Sequence, residues 1–311
     1  MTQPTVSVVV CAYTDRRWAD LSDAAAAVAK QLGPADELVV VIDHNDDLLA
    51  RAQAELPATR IVPNEQTRGL SGGRNTGVAQ SRGDVVVFLD DDAVPEAGWL
   101  EAFRVRFADP DVVAVGGAVE AEWETGSAPR WFPAEFGWVV GCDYVGLPED
   151  GEQIRNPIGA SMAIRRTALE TVGGFSDAVG RVGALPVGCE ETDLCIRVRQ
   201  AMPAAAVVRD TTAVVRHRVP AARRRFRYFV SRCYHEGRSK AILSASVGAT
   251  DGLSSERSYA TKVLPRGTLR HAGAIRRGDL SGLARAAAIP VGLVVTATGY
   301  ASATLRRSAR V

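Results

Sequence analysis

VVVFLDDDAVP, residues 85–95, runs through five apolar residues and stops in three consecutive carboxylates. A short, uninterrupted apolar run reads as a strand covered on both faces, the kind found in a parallel sheet flanked by helices. Towards the N-terminus, residues 38–42 repeat the pattern and end at Asp43, residues 6–10 repeat it again, and Ile61 with Val62 marks a short strand before Pro63. Between these strands lie helix-like segments at residues 18–32, Ala-rich and closed by Gly33 and Pro34, and at residues 70–81, stopping before Gly83. Strands alternating with helices imply right-handed crossovers and an α/β fold with a mostly parallel sheet, whose ligands bind beyond the carboxyl ends of the strands. Three of the four strand ends carry polar residues there.

Towards the C-terminus, residues 114–166 are irregular, aromatic and rich in Gly and Pro, a mixed region laid over the sheet edge. Residues 192–200 read as a helix opened by Glu190 and Glu191, and residues 220–244 as a strongly basic helical region. The 311 residues are about twice a usual domain, and 46% hydrophobic with 23% charged residues excludes a disordered, fibrous or polytopic membrane chain.

The formal net charge of +1 hides an asymmetry. Up to residue 215 there are 18 basic and 32 acidic residues; beyond it there are 19 and 4. Such a basic end points to contact with a membrane or a nucleic acid, although the near-exclusive use of Arg is also what a GC-rich coding bias leaves. No nucleic-acid recognition motif accompanies the run Arg223, Arg224, Arg225 and Arg227, so that partner is set aside in favour of a lipid-phosphate surface or a solvated helix face. Residues 286–305 carry no charge and are long enough to span a bilayer. Pro290, Gly292 and Gly299 weaken the segment, so the first expectation is a helix lying in the membrane interface, ahead of a packed terminal helix or a span. Five cysteines without a CxxC pair suggest neither a disulfide framework nor a zinc ribbon and suit a reducing cytosol, and no secretory signal is expected at the N-terminus.

Three adjacent carboxylates, Asp90, Asp91 and Asp92, repel one another unless a cation offsets them. A hard divalent cation, Mg2+ or Mn2+, is the natural partner and would bridge a diphosphate; the alternative is a solvated acidic turn capping the next helix. Upstream, RGLSGGRNTG at residues 68–77 puts Gly72 and Gly73 at a helix entry, where N–H groups favour phosphate and Arg74 can add a bidentate contact, although two glycines before a helix are often only a turn.

Together these motifs resemble a family 2 glycosyltransferase: VSVVVCAYT (6–14), VVVIDHN (39–45), GLSGGRNTGVA (69–79), FLDDDAVP (88–95) and GCEETDL (188–194) occur in that family's order. Further strings, PRWFPAEFGWVVGCDYVG (129–146), RNPIGASMAIRR (155–166), GRVG (180–183) and RCYHEGRSKA (232–241), are similar to the subgroup described as glucosyl-dolichyl-phosphate glucuronosyltransferases. The resemblance implies the GT-A fold, a Rossmann-like, mostly parallel sheet flanked by helices. It implies a glycosyltransferase domain over residues 1–240, with a nucleotide-sugar half to about 115 and an acceptor half from 116, followed by a basic helical extension over 241–311.

Carried over by position, the resemblance puts Ala12, Tyr13, Thr14 and Asp43 at the nucleotide base and Arg74 near base and diphosphate. It makes Asp90 and Asp92 the DxD pair, Asp92 as direct metal ligand, with Asp90 or Asp91 on the ribose, and adds His217 to the Mg2+ or Mn2+. The catalytic base falls in the run Glu190, Glu191, Thr192 and Asp193, where Glu replaces the usual Asp at the second position; Glu191 is the choice, Glu190 the alternative and Asp193 structural. Without the resemblance the same run would only complement a helix dipole, worth ~0.3–1 kcal/mol. Trp123, Trp131 and Trp138 are either core or a wall for stacking a sugar ring or acceptor. The expected activity is inverting transfer from a nucleotide-sugar donor, first of all a UDP-sugar, to a glycan or polyprenyl-linked acceptor, at an anionic membrane on the cytoplasmic face. The alternatives are a soluble transferase of a small secondary metabolite and a non-catalytic sugar-nucleotide-binding protein.

Overall fold

The computed structural model describes residues 3–56, 60–176, 188–248 and 254–308; the GRVG string lies outside them. Four strands form the parallel part of one sheet: β1 (Val6–Ala12), β2 (Glu37–Ile42), β3 (Arg60–Pro63) and β4 (Val85–Asp90). In register, Val8 pairs with Leu38 on one side and with Val87 on the other, so the central strands are covered throughout, as their unbroken apolar runs require. Helix α1 (Trp18–Ala29) buries Leu21, Ala24, Ala25 and Val28, one stripe at helical spacing. Between β2 and β3 runs α2 (Asp46–Glu55), and α3 (Leu70–Gln80) leads into β4.

The glycines of α3 have a packing reason. A Cβ on Gly77 would stand 2.3 Å from Val9 Cγ1 and one on Gly72 1.9 Å from the Thr67 carbonyl oxygen, so only glycine lets this helix lie on β1 and its own entry loop. Gly72 and Gly73 are buried inside the helix rather than open before it.

Beyond β4 the sheet turns antiparallel. After β5 (Ala93–Pro95) and α4 (Trp99–Arg106) come β6 (Val112–Trp123), β7 (Ser161–Arg165), α5 (Arg166–Val172), α6 (Glu190–Ala201) and β8 (Ala206–Val219), giving the strand order β3-β2-β1-β4-β7-β6-β8-β5. The region that reads as irregular thus contains two sheet strands. Gly116 and Gly117 interrupt the β6 pattern because a Cβ on Gly117 would meet Ser161 Oγ at 2.4 Å and the Ala213 carbonyl at 2.5 Å. Most consequential for the site is the β5–β8 ladder, which sets His217 opposite Ala93.

By backbone proximity the chain falls into two units, and the strands and helices above belong chiefly to the first: residues 1–120, 148–185 and 190–217. The second unit comprises residues 121–147, 186–189 and 218–311. Its longer helices are α7 (Phe226–Val247), within which residue 240 falls, α8 (Leu264–Gly273) and α9 (Ser281–Ser308). Phe132, Phe136 and Phe229 meet at ring separations of 5.1–6.3 Å, with Trp131 edge-on to two of them. Trp131 and Trp138 therefore serve this aromatic core, and the Trp138 indole donates to Tyr259 at 3.1 Å. Glu135, fully buried, is compensated by Arg270 at 2.7 Å and His271 at 3.1 Å, as a buried carboxylate must be.

Candidate active site

The first unit holds an open cleft over the carboxyl ends of β1, β2 and β4, lined by Cys11, Ala12, Tyr13, Arg17, Asp43, Asp90 and Asp91. This is where a parallel sheet presents a ligand site. On its floor Asp43 is fixed from several sides: Asn64 donates to Oδ1 at 2.7 Å, His44 Nδ1 lies 2.9 Å from the same oxygen, and the Gly69 N–H points at Oδ2 at 3.1 Å. Thr76, from the middle of α3, donates to Asn64 at 2.9 Å and so braces the bracket. His44 takes φ 50°, a left-handed conformation that puts its ring beside the carboxylate of its neighbour.

At the end of β4 the three carboxylates diverge. Asp90, Asp92 and His217 turn together, one ligand atom of each lying within 4.8 Å of the others. Asp92 divides its oxygens: Oδ1 is 3.2 Å from His217 Nε2 and Oδ2 is 2.8 Å from Arg17 Nη1. Asp91 points elsewhere, with Oδ1 on the same Arg17 nitrogen at 2.7 Å and Oδ2 buried without a hydrogen-bond partner among the described residues. Burial pushes the Asp91 carboxyl well above the usual range, against the pull of Arg17. Burial works to lower the Arg17 guanidinium, yet Asp91 and Asp92 hold it above its ordinary value. Two carboxylates and one imidazole, already convergent and with Asp92 and His217 buried, form a donor set that fits Mg2+ or Mn2+.

Arg74 is 2% exposed and does not line the cleft. Its guanidinium, with the rings of Phe88 and Phe175 nearby, reaches Glu190 Oε1 at 3.2 Å, Asp90 Oδ1 at 3.6 Å and the Gly159 carbonyl at 3.1 Å. It joins the acidic cluster to the start of α6. Glu190 is buried, and its Oε2 has no hydrogen-bond partner among the described residues. Glu191, one residue on, is only half-buried; its charge adds to the burial that pushes the Cys195 thiol up to about 12. Asp193 is taken by Arg197 at 2.8 Å. Ala12, Tyr13 and Asp43 lie on the cleft, while Thr14 caps the turn carrying Arg17 by accepting from the Arg16 N–H at 3.4 Å.

Arg17 and Asn64 escape the sequence reading. Arg17, in DRRW at residues 15–18, lies just before the helix-like segment 18–32 and belongs to no motif. The signal available was adjacency: neighbouring parallel strands would put a basic residue just after β1 beside the carboxylates that end β4.

A family model described as Glycosyl transferase family 2 matches residues 7–173. A glucosyl-dolichyl phosphate glucuronosyltransferase of Haloferax volcanii is 35% identical over 242 residues, 76% of this chain and 77% of that protein. Among solved structures, a mannosyltransferase from Pyrobaculum calidifontis in complex with GDP-Man and Mn2+ matches with a TM-score of 0.57 at 19% identity, over 95% of this chain and 87% of its own. A glucosyl-3-phosphoglycerate synthase from Mycobacterium tuberculosis in complex with Mn2+, UDP and phosphoglyceric acid matches with a TM-score of 0.50 at 19% identity, over 79% of each chain. At these identities both structures speak for the shared GT-A architecture.

Proposed function

The chain belongs to glycosyl transferase family 2, and from that premise we propose that it is an inverting transferase moving a sugar from a UDP-sugar to a lipid-linked glycan acceptor at a membrane face. The observation that carries this reading is the juxtaposition of a bracketed Asp43 with the Asp90, Asp92 and His217 cluster across one strand-end cleft. It also leaves no room for a merely non-catalytic binding protein, since the chain is an enzyme of this family.

Uracil offers a single ring N–H between two carbonyls, whereas guanine offers a ring N–H and an amino group side by side. Asp43 Oδ1 already faces Asn64 and His44 and Oδ2 already accepts from the Gly69 N–H, which leaves Oδ2 room for one further donor and favours uracil. Tyr13 and Ala12 flank the base, and Asp90 or Asp91 accepts from the ribose. A divalent cation held by Asp90, Asp92 and His217 would offset the charge on the leaving diphosphate. Glu191, half-buried at the start of α6, takes the proton of the acceptor hydroxyl as it attacks the anomeric carbon. Glu190 is the alternative, although its Oε1 is already engaged by Arg74 at 3.2 Å.

Assay of a nucleotide-sugar panel with Mn2+ is expected to show turnover of a UDP-sugar that Asp92→Ala abolishes. Use of a GDP-sugar alone would remove the uracil assignment. In the same assay Glu191→Gln is expected to lower kcat by about 100-fold or more with donor affinity retained. Full activity in that variant would mean an acceptor already ionised, such as a lipid phosphate.

The acceptor and membrane readings are supported by the name of the Haloferax relative and by α9, whose Ser281–Arg306 portion is long and apolar enough to cross a membrane. We place the protein on the cytoplasmic face, where anionic lipid would meet the basic end of the chain.

A further inference from the structure

The Asp43 carboxylate is occupied unevenly. Its Oδ1 takes the Asn64 amide at 2.7 Å, faces His44 Nδ1 at 2.9 Å and has the Gly69 N–H at 3.3 Å, whereas Oδ2 has only that same N–H, at 3.1 Å. A carboxylate oxygen offers about two lone-pair sites, so Oδ1 is full and Oδ2 is open on one side. The fold builds this asymmetry in. Strand β2 pairs with β3 so that Ile42 is opposite Pro63, and the Asn64 N–H donates to the Ile42 carbonyl at 2.8 Å, which brings the Asn64 and Asp43 side chains within reach of each other. The Asn64 amide has one possible orientation: its Oδ1 accepts from the Gln66 N–H at 3.0 Å and from Thr76 at 2.9 Å, and a backbone N–H can only donate. The amide nitrogen is thereby turned to Asp43 and to the Thr67 carbonyl at 3.1 Å. Both side chains are buried, and of the two only Asp43 lines the cleft.

We infer that Asn64, assisted by His44, selects the nucleobase by filling Asp43 Oδ1, so that the carboxylate accepts one donor and cannot clamp two. Guanine presents its ring N–H and its amino group side by side, a pair that grips a carboxylate through both oxygens. With Oδ1 filled, the amino group would be buried without an acceptor, and an unpaired buried donor costs affinity. The single N–H of uracil meets Oδ2 and leaves no donor over. Asn64 is then a positioning residue that touches no base and acts through Asp43. The inference rests on the uracil reading proposed above and adds to it the residues that impose the choice.

Comparing GDP with inosine diphosphate takes purine size out of the question, since the second ligand keeps the ring and its N–H and lacks only the amino group. Calorimetric titration of the full chain with Mn2+ should show GDP binding no tighter than inosine diphosphate to the native protein. In Asn64→Ala the ratio of the two affinities should move in favour of GDP by at least about fivefold. A merely structural role for Asn64 would weaken both ligands alike and leave the ratio where it was, which would overturn the inference. A native protein that already prefers GDP, or purine diphosphates that bind neither protein, would overturn it as well. His44→Ala, at a side chain 43% exposed, carries the comparison should Asn64→Ala not fold. There a shift of at least about twofold towards GDP is expected, and an unchanged ratio overturns the inference. The uracil reading has its own control: the native protein should bind UDP at least about tenfold tighter than N3-methyl-UDP, which lacks the ring donor. Equal binding of those two would remove the uracil reading and the inference together, whereas an unmoved GDP ratio beside a retained UDP preference removes the inference alone.

Discussion

At the scale of single residues, the site depends on the groups packed against its carboxylates as much as on the carboxylates themselves. Gly159 shows how little slack there is: a Cβ there would stand 2.8 Å from Arg74 Nη2, the nitrogen that reaches both Asp90 and the Gly159 carbonyl. Gly159→Ala must therefore shift a buried guanidinium that ties β4 to α6. It is expected to lower kcat about tenfold and stability by about 1–3 kcal/mol, read from steady-state kinetics and a denaturant midpoint on the same sample. A change in neither would mean that the Arg74 link is dispensable. The sequence displays the carboxylates, because three in a row at the end of an apolar run can hardly be overlooked. It hides their counter-charges, since Arg17 and Arg74 acquire meaning only when β1, β4 and α6 are side by side. For the same reason Arg74, which as a motif residue points to the diphosphate, stands in the fold behind the carboxylates, between Asp90 and Glu190.

At the scale of elements, the parallel strands are legible because each is buried on both faces and interrupted by turn residues, while β6 and β8 are not. Strand β8 alternates buried and open positions along much of its length, a pattern that polar and Arg residues blur, and β6 is broken by glycines that exist for close approach. Helix α9 is a third case, since its polarity is reversed. Apart from Ile289, its buried positions are small, Gly282, Ala286, Ala288, Gly292 and Gly299, whereas Leu283, Val294 and Leu305 are exposed. Small residues turned inwards allow backbone contact with α7: a Cβ on Gly237 would lie 1.9 Å from the Thr296 carbonyl oxygen, and one on Gly299 2.0 Å from that of Tyr234. Gly237→Val should thus part the two helices and lower the unfolding midpoint by roughly 5 °C or more, followed by circular dichroism. An unchanged midpoint would show that the α7 and α9 backbones do not need this proximity.

For the whole molecule, the segregation of charge and the reversed helix belong to one explanation. Beyond residue 215 the chain carries 19 basic and 4 acidic residues, and in the same stretch α9 leaves Leu283, Val294 and Leu305 in the open, with Leu269 and Leu280 exposed just before it. These exposed apolar side chains are what the membrane contact proposed above would cover. Exposed apolar surface beside Arg-rich segments is the combination that anionic bilayers bind, the apolar part supplying depth and the charge supplying attraction within about a Debye length. The two contributions separate experimentally. Flotation with vesicles containing phosphatidylglycerol should carry the full chain upwards, pure phosphatidylcholine should carry less, and high salt should reduce the first without abolishing it. Leu283→Glu with Val294→Glu, both at exposed positions, should remove the salt-resistant part while leaving donor hydrolysis with Mn2+ intact. If the double variant floats as the native chain does, the outward face of α9 is not in lipid, and another surface must account for any membrane contact.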